Sequence, residues 1–112
     1  MARHDEYLLG TFEQIVLLAV MRLGTDAYGT TIRDEIERRT GRAISFGAVY
    51  ATLQRLEDKG LAASWMGEPT AERGGRAKRF FQVSAEGRRA VRKAQDALAA
   101  MTAGLREVRG RA

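Results

Sequence analysis

The chain contains no cysteine and, in 112 residues, one proline, one histidine and one tryptophan. Without cysteine there are no disulfides and no thiolate-held metals. The one histidine, His4, stands near the N-terminal end, so no Ser/His/Asp set can be built without it. The carboxylates Asp34, Glu35, Glu37, Glu57 and Asp58 pattern as helix surface, not as a paired acid and base. Glu57 reads as an ion-pair partner for Arg33 or Lys59. Gly74-Gly75 lacks the Walker-type spacing that cradles phosphates. An enzyme is therefore disfavoured, and neither a metal nor a cofactor is expected. The longest apolar run, Ile15 to Met21, is too short to span a bilayer. Met1 to Glu6 lack the apolar stretch of a secretion signal. The expectation is a cytoplasmic protein with no membrane contact.

What is abundant is positive charge. The formal net charge is +5, from 19 Lys and Arg against 14 Asp and Glu, which favours polyanionic partners. The charge is concentrated. Residues 72 to 79 hold four basic side chains and one acidic one, and the stretch from Arg88 to Arg111 is also basic-rich. The length allows one domain and little room for a second core.

Thr11-Phe12-Glu13-Gln14 resembles a capping box, with Thr11 as N-cap and Gln14 reaching back. The helix it opens is apolar on almost every side (Phe12, Ile15, Val16, Leu17, Leu18, Val20, Met21, Leu23) and so needs cover on more than one face. A second subunit could supply part of that cover. Gly24 ends it. A second helix, about 28 to 40, buries Tyr28, Ile32 and Ile36, and Gly41 closes it. Ser45 caps a third helix with Val49, Leu53 and Leu56 as its buried stripe. The opposite arc holds Gly47, Ala51, Gln54 and Asp58, flanked by Ala48, Tyr50 and Arg55, so its leading half is built of small residues. Strands follow at 61–66 and 78–83, with Phe80 and Phe81 on opposite faces, one core and one half-exposed. The link between them is long for a hairpin, and mobility is expected there. Ser84 caps a last helix running to about Val108, broken only by a weak point at Gly104. Its Val91, Ala94, Leu98, Met101, Leu105 and Val108 recur at the a/d spacing of a coiled-coil seam.

Two constellations carry function. Helix two, a short turn and helix three are in the order of a helix-turn-helix, whose second helix presents its N-terminal residues to base edges in the major groove. A groove about 12 Å wide admits a helix led by small residues. Ser45, Thr52, Gln54 and Arg55 can hydrogen-bond to bases or phosphates, the Tyr50 hydroxyl can donate to a phosphate, and Ala48 or Ala51 can touch a thymine methyl. The plainer alternative is a helical hairpin with a solvated face. The second constellation is Arg73, Arg76, Lys78 and Arg79 around Gly74-Gly75, cations on a loop able to approach a sugar-phosphate backbone; its plainer alternative is a soluble turn. Trp65, Met66 and Phe12 could line an apolar pocket, or simply fill core or interface.

These residues resemble the PadR family of bacterial transcriptional regulators, in the compact branch with a single C-terminal helix. The likeness rests on Leu9-Gly10, Ala27-Tyr28-Gly29, Ile32, Gly47, Val49-Tyr50, Leu53, Arg55-Leu56-Glu57, Lys59-Gly60-Leu61, Arg73-Gly74-Gly75-Arg76, Lys78-Arg79 and Glu86-Gly87. Tyr50, Leu53 and Arg55-Leu56-Glu57 followed by the Gly-Gly-Arg wing are specific only in combination. The resemblance implies a dimer whose interface is formed by the first and last helices, and repression released by a small-molecule effector.

The reading is thus a mainly α fold with a small β wing: a winged helix-turn-helix over 1–84 and a C-terminal dimerisation helix over 85–112 of the same compact unit. The function read is a homodimeric, sequence-specific regulator on a pseudo-palindromic double-stranded DNA operator. Its expected DNA contacts are Thr30, Thr31, Ser45, Gly47, Ala48, Tyr50, Ala51, Gln54, Arg55, Arg73, Arg76 and Lys78. Its expected dimer contacts are Phe12, Ile15, Val91, Ala94, Leu98, Met101, Leu105 and Val108. The alternative is an architectural or protein-docking winged helix without effector control.

Overall fold

The computed structural model describes residues 8–68 and 77–106. Arg73 and Arg76, expected to contact DNA, and Val108, expected to end the seam, lie outside the described residues.

The first helix, α1 (Thr11–Leu23), starts one residue earlier than its sequence suggests. Gly10 is the N-cap, its N–H donating to Glu13 Oε1 at 3.2 Å, while Gln14 Nε2 donates to the Leu9 carbonyl at 3.1 Å. Thr11 is the first helical residue and stands exposed; the extended backbone of Gly10 puts Glu13, not Gln14, within reach of the free N–H. Val16, Leu17, Ala19 and Val20 are buried, whereas Phe12, Ile15, Leu18 and Met21 are only half-buried. The domain thus covers one arc of this largely apolar helix and leaves another partly open. At Gly24 the chain turns with φ 59°, and a short 3-10 turn (Gly24–Asp26) leads to buried Ala27.

Next come α2 (Gly29–Thr40), closed by Gly41 in the left-handed region, and α3 (Phe46–Asp58), capped by Ser45 Oγ accepting from the Ala48 N–H at 3.0 Å. Val49, Leu53 and Leu56 are fully buried, as their spacing predicts. β1 (Ala62–Met66) and β2 (Arg79–Val83) pair antiparallel, from Ala62 opposite Val83 to Met66 opposite Arg79. The Phe81 N–H donates to the Ala27 carbonyl at 2.9 Å, which ties the sheet to the turn after α1. Phe81 is buried and Phe80 half-buried, matching the strand alternation.

The last helix, α4 (Ala85–Thr102), begins as expected, with Ser84 Oγ accepting from the Gly87 N–H and donating to the Gly60 carbonyl. It stops six residues short of Val108. The cause is Gly104 at φ 87°, together with a turn in which the Leu105 N–H donates to the Thr102 carbonyl. The a/d row is therefore split. Val91 and Ala94 are 3% and 2% exposed within the single chain, packed into its core, and have no surface to give to a second copy. Leu98, Met101 and Leu105 are 59%, 75% and 45% exposed. The seam pattern records two successive jobs: its first part closes the domain and its second part leaves it.

Candidate nucleic-acid interface

The two helices of the central motif are locked at a close contact. A Cβ built on Gly29, the first residue of α2, would fall 2.7 Å from the Phe46 ring, so a larger residue there would displace that ring. Across the turn, the Ile44 N–H donates to Glu37 Oε2 at 2.9 Å. These contacts present one face of α3 to solvent. Ser45, Phe46, Gly47, Ala48, Ala51, Gln54 and Arg55 are all exposed, and nothing stands within 4 Å of the Cβ position of Gly47. Gln54 Nε2 donates to Asp58 at 3.2 Å. Arg55 reaches Thr52 Oγ1 at 3.2 Å and Glu13 at 3.7 Å.

Tyr50 is half-buried, its ring stacked on Phe46 (centroids 5.7 Å apart, 23° between planes) and edge-on to Phe81. Thr30 is exposed at the start of α2. Two threonines depart from expectation. Thr52 is 2% exposed on the buried side of α3 and cannot reach a base. Thr31 is turned inward: its hydroxyl donates to the Asp26 carbonyl at 2.5 Å and accepts from the Tyr28 N–H at 3.0 Å, capping α2 in place of binding a phosphate. Sequence spacing cannot separate a threonine that caps its own helix from one that faces outward.

The wing is bolted to α3 by a polar cluster. Ser64 Oγ donates to the Glu57 carboxylate at 2.8 Å, and Arg79 reaches Ser64 Oγ through Nε at 3.0 Å and Glu57 through Nη2 at 3.1 Å. Glu57 therefore pairs with Arg79, not with Arg33 or Lys59, because the strand crosses the end of α3 and brings a residue from far along the chain. Lys59 instead meets Glu13 at 2.9 Å. Arg79, also over the Phe81 ring at 5.7 Å, positions the wing, which leaves Lys78 as the described cation at the start of β2 that is not tied to Glu57. Lys78 is exposed, its Nζ 5.1 Å from the Tyr28 ring centroid.

Two residues beyond those the sequence points to stand out. Phe46 occupies the first turn of α3, and 44% of its surface is exposed. Arg33 on α2 is half-buried, and its Nε has no hydrogen-bond partner. An aromatic residue directly before Gly47-Ala48 at a helix start is the signal that could have marked Phe46; Arg33 reads from sequence like any surface arginine.

Burial raises the Glu13 carboxyl, but the Lys59 ammonium, the Gly10 N–H and Arg55 outweigh it and hold the group below its ordinary value. Arg39 and Arg38 likewise hold Glu35 below the ordinary range, with Arg22 a further 3.4 Å neighbour. Beside Glu35 a cavity of about 220 Å³ opens between α1 and α2, floored by Ile15, Leu18 and Ile36. A second, of about 290 Å³, lies among α1, the sheet and α4, lined by Met21, Thr25, Trp65, Gln82 and Arg88. Trp65 thus lines a cavity as its sequence context allows; Met66 and Phe12 do not line that one. Among the described residues, no group of His, Cys, Asp or Glu could hold a metal ion, and no helix is long and apolar enough to cross a membrane.

Residues 17–93 match the sequence profile described as the Transcriptional regulator PadR-like family. Among solved structures, a transcriptional regulator from Clostridium thermocellum is 22% identical with a TM-score of 0.67, over 80% of this chain and 84% of that one. A PadR-like transcriptional regulator from Bacillus cereus is 14% identical with a TM-score of 0.68, over 92% and 95%. A PadR family transcription regulator from Clostridium difficile is 17% identical with a TM-score of 0.67, over 88% and 99%. At these identities the likeness is one of fold. No curated protein matches the sequence.

Proposed function

The chain belongs to the PadR-like family of transcriptional regulators, and from that premise we propose that it is a homodimeric cytoplasmic repressor of a pseudo-palindromic operator, released by a small molecule. The observation that carries this reading is the exposed face of α3. Its leading turns offer Ser45, Gly47, Ala48 and Ala51, small enough for close approach, followed by Gln54 and Arg55, which can hydrogen-bond to base edges. Tyr50 and Thr30 flank that face and serve as phosphate contacts. Lys78, with Arg73 and Arg76 of the wing, adds affinity that carries no sequence information and weakens with salt.

Dimer formation is supported by the exposed row Leu98, Met101 and Leu105 and by the half-buried Phe12 and Ile15 of α1, apolar surface in need of a partner. A two-fold dimer calls for half-sites about 34 Å apart or a multiple of that. Effector release is supported by the cavity of about 290 Å³ at the junction of wing and α4. A molecule seated against Trp65 and Arg88 would push the wing away from the dimerisation helix and spoil the spacing of the two recognition helices.

The test is a footprint on the DNA upstream of the protein's own gene, with random duplex as control. A protected near-palindrome supports the regulator. Equal binding to both duplexes supports an architectural role, and no binding at low salt a docking module.

A further inference from the structure

We propose that Phe46 is a specificity-determining residue that reads the 5-methyl group of a thymine in each half-site. The inference rests on the DNA-binding reading above and assigns to it a chemistry that the polar residues of α3 do not supply. Phe46 is the one large apolar side chain on the exposed face of the first turn of α3, the turn that meets base edges in a helix-turn-helix. Its neighbours there are Gly47 and Ala48, and nothing within 4 Å covers the Cβ position of Gly47. Beside these small residues Phe46 keeps 44% of its surface open to solvent.

The ring is held on two sides. One side meets the backbone of Gly29, where a Cβ would lie 2.7 Å from the ring, and the other stacks on Tyr50 at 5.7 Å. Tyr50 in turn rests edge-on against buried Phe81. A restrained ring gives up little conformational freedom on binding, so burying it against an apolar group is a net gain. In the major groove only thymine presents such a group, its C5 methyl. Cytosine presents an amino donor, and the purines present N7 with O6 or N6, all of which lose water against a ring edge without gaining a partner. Ala48 and Ala51 also carry methyl groups, but neither extends past its own Cβ.

The experiment selects duplexes from a randomised pool with the wild-type protein, then replaces each thymine of the recovered site by deoxyuridine, which removes only the methyl. Loss of one buried methyl predicts about fourfold weaker binding for one half-site and about fifteenfold for both, at one symmetric thymine position. Phe46→Ala should bind the thymine and deoxyuridine duplexes equally, and Phe46→Leu should keep part of the difference. Uniform tolerance of deoxyuridine by the wild type overturns the proposal, with no variant needed. A penalty that persists in Phe46→Ala also overturns it, and assigns the methyl to Ala48 or Ala51. Failure of the wild type to enrich any sequence removes the DNA-binding reading and this proposal together, an outcome distinct from enrichment without methyl dependence.

Discussion

Gly87→Ala is the substitution whose sign separates this structure from a generic helical one. Gly87 lies in the first turn of α4, where exchanging glycine for alanine ordinarily stabilises by up to about 1 kcal/mol. Here the added Cβ would fall 2.1 Å from the Leu61 carbonyl oxygen and 2.7 Å from Val83 Cγ1. Neither neighbour can yield cheaply. The Leu61 carbonyl accepts the Ser84 N–H at 3.0 Å, Ser84 Oγ donates to Gly60 at 2.8 Å, and Val83 is core. Relief requires α4 to move outward, which strains a packed interior by about 1–3 kcal/mol and weakens two hydrogen bonds of about 1 kcal/mol each. Against the propensity gain, the net is a loss of about 2–3 kcal/mol. In a domain of this size that lowers Tm by about 10–20 °C. Urea and thermal unfolding at fixed protein concentration measure it. A neutral or stabilised variant would refute the close packing of α4 on the α3–β1 turn.

Three further outcomes follow from named contacts. The folded-state pKa of Glu13 is depressed, so its contribution to stability is present above the ordinary value of 4.5 and is lost as pH falls through the lower folded value; Glu13→Gln should flatten the acid limb of a pH–stability curve below about 4.5 and leave its shape near neutrality unchanged. Leu98→Glu places a charge in the exposed apolar row without touching the core and should give a folded monomer by sedimentation velocity, with operator binding lost; a dimer at the same concentration would exclude that row as the interface. Lys78→Ala should weaken specific and random duplex alike and reduce the salt slope by about one phosphate contact per chain, read by anisotropy from about 50 to 200 mM salt.

Much of the fold was legible because its signals are local. Ser45 and Ser84 cap the helices they precede, Gly24 and Gly41 end helices at positive φ, and the alternation in β2 sorts Phe81 from Phe80. What misled was tertiary. The a/d row of α4 is continuous in sequence, yet Val91 and Ala94 are buried inside the domain, on a helix that packs against α1 and β2. Thr31 and Thr52 look like donors for DNA until the turn at Asp26 and the core claim them. The partner of Glu57 is 22 residues away on a paired strand, beyond the reach of helix spacing rules. Phe46 carries little signal in the sequence, because an exposed aromatic is ordinary in isolation. Its interest comes from Gly29 and Tyr50, which hold it at the front of α3.

A dimer of this chain should discriminate one DNA sequence from others, and competition binding measures that directly. The footprinted duplex and a scrambled duplex of equal length and composition are titrated across the same salt range, with the stoichiometry of the complex determined alongside. Two chains should bind each duplex, with a preference for the footprinted sequence of about a thousandfold or more and a loss of affinity with salt for both duplexes. Equal affinities at every salt concentration, or one chain per duplex at saturation, would contradict it.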